Sequence, residues 1–319
     1  MVLPGAVRFL TLKPVDQRLR RLLKAPDPFL RRLLDLAGLT RGKRVRAQLT
    51  LLSAAACGRV TPAAQQLAAV LELFHAATLL HDDVLDGAGQ RRHQRTLNAH
   101  FGNAVAVLAG DYLFTQVMRA AFGGLPTRVQ ELLASTAQQV CLGEIAEQRH
   151  RGRLNLTPAQ YQRIIERKTA SLFAACGAGG AMLAKGSPGQ VESLRRFGMK
   201  MGLAFQIQDD LLDLTGRQAR LGKPVGADFQ TGHLTLPVIL GLRQLRGAQR
   251  RALQRSLRQG AAGQAAVRRL LAGTAALVQT AARSQALVRL AERELDCFKE
   301  SQVKRGLLAL ARMAVERDR

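Results

Sequence analysis

The spacing of apolar residues restricts the fold of this chain more than any other feature. In LAAVLELFHAATLLHDDVLD, residues 67–86, apolar side chains recur at intervals of three and four positions, which is the period of a packed α-helix. Alternation of the strand type, bounded by hairpin turns, is scarce. The pattern predicts an all-α bundle of ten or more helices. Turn residues interrupt the helical pattern at Gly58–Pro62, Gly87–Gly89, Gly123–Pro126, Gly186–Gly189 and Gly222–Gly232.

The interruptions are too short and too varied to be linkers between domains. No repeat of 20–50 residues is evident, so residues 1–319 are expected to form one domain. The chain begins without the apolar core of a secretory signal, and no run reaches the roughly 20 uninterrupted apolar residues of a membrane span. A cytoplasmic protein is expected. The four cysteines are isolated from one another, which predicts reduced and mostly buried side chains without metal.

The charge of the chain indicates an anionic partner. Lys and Arg number 48 against 23 Asp and Glu, giving a formal net charge of +25. Nucleic acid, an anionic membrane surface and an anionic small substrate would all suit this charge. The basic residues are spread through helical segments and aromatic residues make up 4% of the chain, too few for base stacking. We therefore expect no nucleic acid partner, and from charge alone a peripheral membrane contact.

The sequence HDDVLD, residues 81–86, places three carboxylates at the end of an apolar helix. Asp82 and Asp86 are four residues apart and so lie on one helix face, with Asp83 beside them. Three anions within one turn repel one another, and a bound cation would relieve that repulsion. Oxygen ligands of this kind suit Mg²⁺, which keeps some water ligands and often bridges to substrate phosphates.

A second cluster repeats this pattern. In FQIQDDLLD, Asp209, Asp210 and Asp213 again follow an apolar helical run. One such motif is weak evidence for function because acidic surface turns are common. Two motifs of this kind predict carboxylates that face each other across a bundle and hold several Mg²⁺ ions around one diphosphate.

Basic residues occur where a diphosphate would need them. Arg91 and Arg92 follow the first aspartate cluster, and adjacent guanidinium groups can donate forked hydrogen bonds to phosphate oxygens. Each cation taken alone would more often be an ordinary surface residue. The other candidates are Arg41, Lys43, Arg44 and Arg46, Lys168 with Thr169, and Lys223.

In combination these residues resemble the trans-isoprenyl diphosphate synthases, and in particular long-chain members such as octaprenyl and heptaprenyl diphosphate synthases. The motifs that carry the resemblance span nearly the whole chain: GKRVR, FHAATLLHDDVLD, RR, FGNAVAVLAGDYLF, Gly143 with Glu144, KTASLF, FQIQDDLLD, LGKPVGAD, GHLTLP and the terminal ERDR. The resemblance implies the all-α isoprenoid synthase fold, a deep central apolar cavity and a homodimer.

The resemblance also implies a role for each matching residue. It gives Asp82, Asp86 and Asp209 as ligands of Mg²⁺, three ions in all when substrate is bound, with Asp83, Asp210 and Asp213 assisting. The allylic diphosphate, a C10 to C20 starter, would be bound by Arg91, Lys168, Thr169, Gln206, Lys223 and His233. The isopentenyl diphosphate would be bound by Lys43, Arg46, His75 and Arg92.

Two positions depart from the pattern of this family. His233 stands where a lysine is usual, which makes one positive charge near the allylic diphosphate dependent on pH. Glu147 stands where a glutamine is usual, with Gln148 next to it. The second departure is expected to affect only a secondary contact.

The reaction that the resemblance implies is head-to-tail condensation with isopentenyl diphosphate, extending the chain by five carbons. Ala77 and Thr78 lie about one turn before Asp82 on the same helix, where small residues favour a long product of C30 to C40. Phe74 lies one turn deeper and would instead give C20 to C25 if it closed the cavity floor. The sequence does not fix the rotation that decides between these alternatives.

Four other functions are alternatives to this one. A terpene cyclase or a head-to-head coupling enzyme would not be expected to combine DDLLD with GKRVR. A shorter-chain farnesyl or geranylgeranyl synthase stays open. A non-catalytic partner subunit of a heteromeric prenyl synthase would be expected to lose carboxylates, and all six are present.

Overall fold

A computed structural model describes residues 11–39, 42–91, 94–215 and 231–316, and these are almost entirely helical. The N-terminal elements are α1 Lys13–Leu22, α2 Pro28–Leu36, α3 Val45–Cys57, α4 Pro62–Leu85, β1 Gln90–Arg91, β2 Gln94–Arg95, α5 Leu97–Phe101, α6 Asn103–Phe122 and α7 Thr127–His150. Then follow α8 Pro158–Ile165, a π-helical turn Glu166–Ala170, α9 Ser171–Leu183, α10 Pro188–Thr215, α11 Leu236–Gln244, α12 Gly247–Arg258, a 3₁₀ turn Gly260–Gly263, α13 Gln264–Ala272, α14 Ala276–Arg293 and α15 Gln302–Met313.

The predicted fold class is confirmed, and four predicted interruptions fall between helices. Thr61 caps α4 by accepting a hydrogen bond from the backbone N–H of Ala64, and Pro62 begins the helix. The fifth interruption, residues 222–232, lies mostly outside the described residues. The short antiparallel hairpin β1–β2 pairs Gln90 with Arg95 and was not expected from the sequence.

The chain divides into two compact units. The first comprises residues 1–136, 172–198 and 292–311, and the second comprises residues 137–171, 199–291 and 312–319. That the whole chain behaves as one domain stays a prediction.

Helix α4 is the central helix of the first unit, where it packs against α1, α3 and α6. It is the one helix within the described residues that is long and apolar enough to cross a membrane, by length and composition. However, 67% of its most apolar window is buried against the protein. Its apolar residues therefore form the core of this unit and fix the position of the aspartates at its C-terminal end.

The second unit has two apolar cores. One joins the π-helical turn and α8 to α10 and α11, through residues that include Tyr161, Ile165, Ile207 and Ile239. The other packs α11, α12 and α13 around Leu253, which is fully buried. The first of these cores supports the residues predicted to bind the allylic diphosphate.

The cysteines are free, as predicted, but they are not mostly buried. Cys176 is buried, and burial raises the pKa of its thiol to about 12. Cys141 and Cys297 are exposed, so the expectation of mostly buried cysteines was wrong.

Candidate active site

The first aspartate cluster lies at the C-terminal end of α4. Asp82 and Asp86 are half-buried, whereas the side chain of Asp83 is buried. The Nε of Arg91 lies 2.6 Å from Oδ1 of Asp83. Burial raises the pKa of the Asp83 carboxyl, and the ion pair with Arg91 offsets part of that shift.

The hairpin that follows α4 brings Arg91 back to this cluster. The Nδ2 of Asn98 donates to the carbonyl oxygens of Asp83 and Ala88, at 3.1 Å in each case. The hydroxyl of Thr96 donates to the carbonyl of Ala88 at 2.6 Å. These bonds close the turn, so that Arg91, eight positions after Asp83, contacts the Asp83 side chain.

The second cluster occupies the last turns of α10. Asp209 is half-buried, whereas Asp210 and Asp213 are buried. The carboxylate of Asp210 accepts hydrogen bonds from the hydroxyl of Tyr161 at 2.6 Å and from Nε2 of Gln206 at 2.9 Å. Each cluster therefore contains a carboxylate that is satisfied by the protein, Asp83 in one and Asp210 in the other.

Lys168 lies between two carboxylates of α7. Its Nζ is 2.8 Å from Oε2 and 3.1 Å from Oε1 of Glu144, and it also contacts Oε2 of Glu147. Lys168 itself lies in the π-helical turn, a rare geometry that often marks functional sites. The next residue, Thr169, donates its hydroxyl to Oε1 of Gln206 at 2.8 Å.

Gly143 permits this arrangement. A Cβ at position 143 would lie 2.3 Å from the backbone nitrogen of Lys168 and 2.8 Å from its Cα. Only a residue without a side chain allows α7 to approach the π-helical turn so closely. The approach brings Glu144 and Glu147 within reach of the Lys168 ammonium.

His233 also lies in the second unit, near the Glu147 side of α7. Its Nδ1 is 3.2 Å from the hydroxyl of Thr231, and the backbone N–H of Gly152 donates to the carbonyl of Gly232 at 2.9 Å. His233 acts on Glu147, whose pKa is raised by burial and lowered in part by Lys168 and His233. The last predicted allylic residue, Lys223, lies outside the described residues.

The predicted isopentenyl group begins at the N-terminus of α3. Lys43 is exposed, and Arg46 is buried with its guanidinium 4.8 Å from the centre of the Phe173 ring. His75 is half-buried on α4. The N-terminus of a helix attracts anions, which suits the predicted role of this group. Arg92, the fourth predicted residue, lies outside the described residues.

Glu72 and Arg44 hold this helix end in place. The backbone N–H of Ala47 donates to Oε1 of the buried Glu72 at 2.9 Å. Arg44 adopts a left-handed conformation with φ of 52°, and its side chain contacts Asp16, Leu39 and Glu72. These contacts fix the backbone on both sides of Lys43 and Arg46.

The predicted chain-length residues lie in the packed part of α4. Ala77 is 1% exposed, and the hydroxyl of Thr78 donates to the carbonyl of His75 at 2.9 Å. Phe74 is 4% exposed and contacts Phe114 of α6, with ring centres 5.7 Å apart. Phe74 thus packs against a neighbouring helix, and its role at the cavity floor stays a prediction.

The carboxylates fit a metal that also binds water and substrate. Within the described ranges, no group of three or more His, Cys, Asp or Glu side chains is arranged to hold an ion by itself. The predicted ligands Asp82, Asp86 and Asp209 are the half-buried members of their clusters. Partial exposure and hard oxygen donors suit Mg²⁺ with water and phosphate as its other ligands.

A surface groove of about 650 Å³ lies elsewhere in the first unit. It is bordered by α2 and by the region of β2 and α5 and contains none of the predicted site residues. This groove is therefore not the predicted prenyl cavity. The deep apolar cavity itself stays a prediction.

Comparison with known proteins decides the family. The family model described as polyprenyl synthetase matches residues 27–273, more than half of the chain. The chain belongs to the polyprenyl synthetase family. The expectation of a prenyl diphosphate synthase, and hence of a trans-prenyltransferase, is confirmed.

Relatives of this polyprenyl synthetase differ in product. It is 37% identical over 235 residues to a short chain isoprenyl diphosphate synthase of Methanothermobacter thermautotrophicus, covering 71% of each chain. It is 36% identical over 221 residues to the octaprenyl diphosphate synthase of Escherichia coli, covering 69% of this chain and 68% of the other. Similarity therefore supports the class of enzyme and leaves the product length open.

A solved structure shares the fold of this polyprenyl synthetase. The polyprenyl synthase of Caulobacter crescentus, described as complexed with calcium and isoprenyl diphosphate, matches with a TM-score of 0.90 and 32% identity. The match covers 95% of this chain and 94% of the Caulobacter chain. The isoprenoid synthase fold is thereby confirmed.

Sequence reasoning missed several residues that support the site. Tyr161 and Glu72 are buried polar side chains that bond to the site from elements distant in sequence. For Glu72 the signal was a polar group within an apolar helical pattern, whereas the polar sequence around Tyr161, PAQYQRII, gave no such signal. Glu147 was expected to make a secondary contact, and the structure places it directly on Lys168.

Proposed function

We propose that this enzyme condenses an allylic diphosphate with isopentenyl diphosphate, head to tail, to make a trans-polyprenyl diphosphate of C30 to C40. The observation that carries the proposal is the pair of aspartate-rich helix ends. Each contains at least one half-buried carboxylate suited to a metal, Asp82 and Asp86 in the first and Asp209 in the second, and a buried carboxylate held by the protein, Asp83 or Asp210. The calcium and isoprenyl diphosphate described in the Caulobacter relative support a divalent cation and this class of substrate.

The predicted site residues would form two substrate-binding sites. Asp82, Asp86 and Asp209 would hold Mg²⁺, which supplies positive charge to the departing diphosphate. Arg91 and Lys168 would bind the allylic diphosphate, together with Thr169, Gln206, Lys223 and His233. Lys43, Arg46, His75 and Arg92 would bind the isopentenyl diphosphate.

The reaction needs no covalent bond to the protein. The bond between C1 and oxygen of the allylic substrate breaks, and C1 bonds to C4 of isopentenyl diphosphate. A proton then leaves C2, and the released pyrophosphate is the base. The protein contributes by positioning the substrates and by stabilising charge.

The packing of α4 supports a long product. Phe74 lies against Phe114 of α6, so that its ring is held by helix packing. Ala77, one turn nearer the aspartates, presents a single methyl group. A small residue at this level leaves more room for a growing prenyl chain than a bulky one.

The proposal is tested by incorporation of radiolabelled isopentenyl diphosphate with Mg²⁺ and C10, C15 or C20 starters. Products of C30 to C40 are expected, and a stop at C20 or C25 would support the shorter-chain alternative. Asp82→Ala and Asp209→Ala should each abolish turnover. A lack of incorporation with every starter by the purified wild type would contradict the proposal and favour the partner-subunit alternative.

We propose that the enzyme acts as a homodimer in the cytoplasm. One face of α6 is exposed along its length, and most of its side chains are apolar. The exposed fractions are 38% for Val107, 66% for Leu108, 45% for Met118 and 63% for Phe122. An exposed apolar helix face is typical of a protein interface. In a two-fold dimer this face of α6 would pack against the same face of α6 in the second copy.

We also propose a peripheral contact with anionic membranes through α12. Residues 231–291 contain ten arginines and neither aspartate nor glutamate. Arg251, Arg255 and Arg258 are exposed on one face of α12, opposite the buried Leu253. No ion pair involves these three arginines within the described part of the chain. Each basic residue near an anionic bilayer contributes about 1 kcal/mol of binding.

Co-sedimentation with phosphatidylglycerol-containing vesicles tests this contact. Replacing Arg251, Arg255 and Arg258 by glutamine should weaken binding at least tenfold at low salt. The same three-charge loss at exposed Arg20, Arg21 and Arg128 is the control. Equal binding to pure phosphatidylcholine vesicles, or preference for duplex DNA, would contradict the proposal.

A further inference from the structure

The Lys168 ammonium faces more negative charge than it can neutralise. Glu144 contacts it through both carboxylate oxygens, at 2.8 and 3.1 Å, and Glu147 contacts it through Oε2. An ammonium has three N–H donors and one positive charge. Two ionised carboxylates therefore leave the group with a net charge of −1, at the residue proposed to bind an anionic diphosphate.

The excess charge comes from Glu147. Glu144 belongs to the motif that the sequence shares with the prenyl synthases, whereas Glu147 stands where glutamine is usual. A glutamine there could still accept from Lys168 without adding a charge. The other departure from the family pattern, His233, is linked to this group because its positive charge lowers the pKa of the Glu147 carboxyl.

We infer that Glu147 is a positioning residue that sets the affinity for the allylic diphosphate by competing with it for the Lys168 ammonium. This inference rests on the proposed function of Lys168. The two glutamates orient the ammonium. The Lys168 side chain is 21% exposed, so its surroundings constrain it. When the diphosphate binds, its oxygens must take N–H donors from these carboxylates. The excess charge repels the substrate at short range.

Protonation of Glu147 removes the competition. Burial is the largest influence on the Glu147 carboxyl and raises its pKa, while the charges of Lys168 and His233 lower it and that of Glu144 raises it. Among the described residues, the charged groups that act on the Glu147 carboxyl are Glu144 on its own helix, Lys168 on the π-helical turn and His233 ahead of α11. A neutral Glu147 has the shape and charge of glutamine, so the wild type should approach the Glu147→Gln variant as the pH falls.

Binding of farnesyl diphosphate with Mg²⁺, measured by calorimetry without isopentenyl diphosphate, tests the inference. At pH 8, Glu147→Gln should lower Kd by roughly three- to tenfold, since one charge is removed beside the ligand. In the incorporation assay the KM for the allylic substrate should fall, and the KM for isopentenyl diphosphate should not. The ratio of the wild-type and variant Kd values should move towards one at pH 5.5.

Two controls make the result specific. Glu131→Gln removes the same charge from an exposed position of the same helix and should leave Kd within twofold of the wild type. In a Lys168→Met background, Glu147→Gln should lose its effect, because there is no ammonium to compete for.

The outcomes separate this inference from the proposed function. If the wild type binds farnesyl diphosphate and Glu147→Gln behaves as Glu131→Gln does, or binds more weakly, the inference is wrong while the proposed function stands. If the wild type binds no allylic diphosphate at any pH, both are wrong.

Discussion

At the scale of single residues, the aspartates of each motif include two kinds, although they look equivalent in the sequence. Some are buried and bonded to protein side chains, and others are half-buried and suited to a metal. Asp83 and Asp210 occupy corresponding positions in the two motifs and both are buried. Asp83 is paired with Arg91, and Asp210 is bonded to Tyr161 and Gln206. Buried charges need such partners because desolvation is costly. These two residues therefore support their clusters from within the protein.

Tyr161→Phe tests how much the hydrogen bond to Asp210 contributes to stability and turnover. The substitution removes the hydroxyl that donates to Asp210 and leaves a buried carboxylate with one donor fewer, which should cost about 1–3 kcal/mol of stability. Turnover should fall because the second cluster loses its fixed geometry. Denaturant unfolding and the incorporation assay measure the two effects.

The other tyrosine of the chain provides the control. Tyr112 is half-buried on α6, so Tyr112→Phe should change both measurements little. Equal effects of the two substitutions would show that the bond to Asp210 has no special role.

At the scale of helices, the contact between α7 and the π-helical turn determines where Lys168 lies. Gly143 allows backbone to meet backbone, and the two glutamates that follow it on α7 then reach the ammonium. The position of Lys168 therefore depends on a residue that has no side chain.

Gly143→Ala should separate these two elements. Its methyl group would meet backbone atoms of Lys168 at 2.3 Å, so α7 or the turn must move, at a cost of about 1–3 kcal/mol. The KM for the allylic substrate should change with the displacement of Lys168. Gly124→Ala is a matched control because a Cβ there meets no atom within 4 Å. A fully active Gly143→Ala enzyme would contradict this account.

Helix α4 also provides a test of product length. Ala77→Phe places a ring one turn below Asp82, where it should block elongation and shorten the main product by at least one five-carbon unit. Chromatography of the labelled products measures the shift. The control is Ala76→Phe, which adds the same volume at a position about 100° around the helix. Unchanged products from Ala77→Phe would remove Ala77 from the chain-length residues.

At the scale of the whole molecule, the exposed apolar face of α6 is a feature that a monomer would tolerate poorly. Four large apolar side chains lie in water there, in a chain whose net charge otherwise favours solubility. Pairing with a second copy would cover them.

Leu108→Asp should disrupt the dimer, because it places a charge at the most exposed apolar position of that face. Size-exclusion chromatography with light scattering should detect monomers at micromolar concentration. Val278→Asp, at a residue of α14 that is 72% exposed, adds the same charge elsewhere and should leave the dimer intact. A monomeric wild type would contradict the proposal.

The sequence predicted the fold class well because apolar periodicity and turn residues are local signals. Thr61 and Pro62, for example, begin α4 where the pattern indicated. The clusters at residues 82–86 and 209–213 were also visible, since each motif is continuous in the chain. The bond from Tyr161 to Asp210 and the contact of Glu72 with α3 were not, because they join residues that only tertiary packing brings together. The rotation of Phe74 was undecided for the same reason.

The π-helical turn has a consequence for insertions and deletions. A turn of this kind contains one residue more than an α-helix needs to continue in the same direction. Deleting Arg167, which is exposed, would allow a continuous α-helix and would rotate Lys168 by about 100° relative to α8. Loops elsewhere can change length without such an effect. In this segment the number of residues, as much as their identity, determines whether the ammonium faces α7.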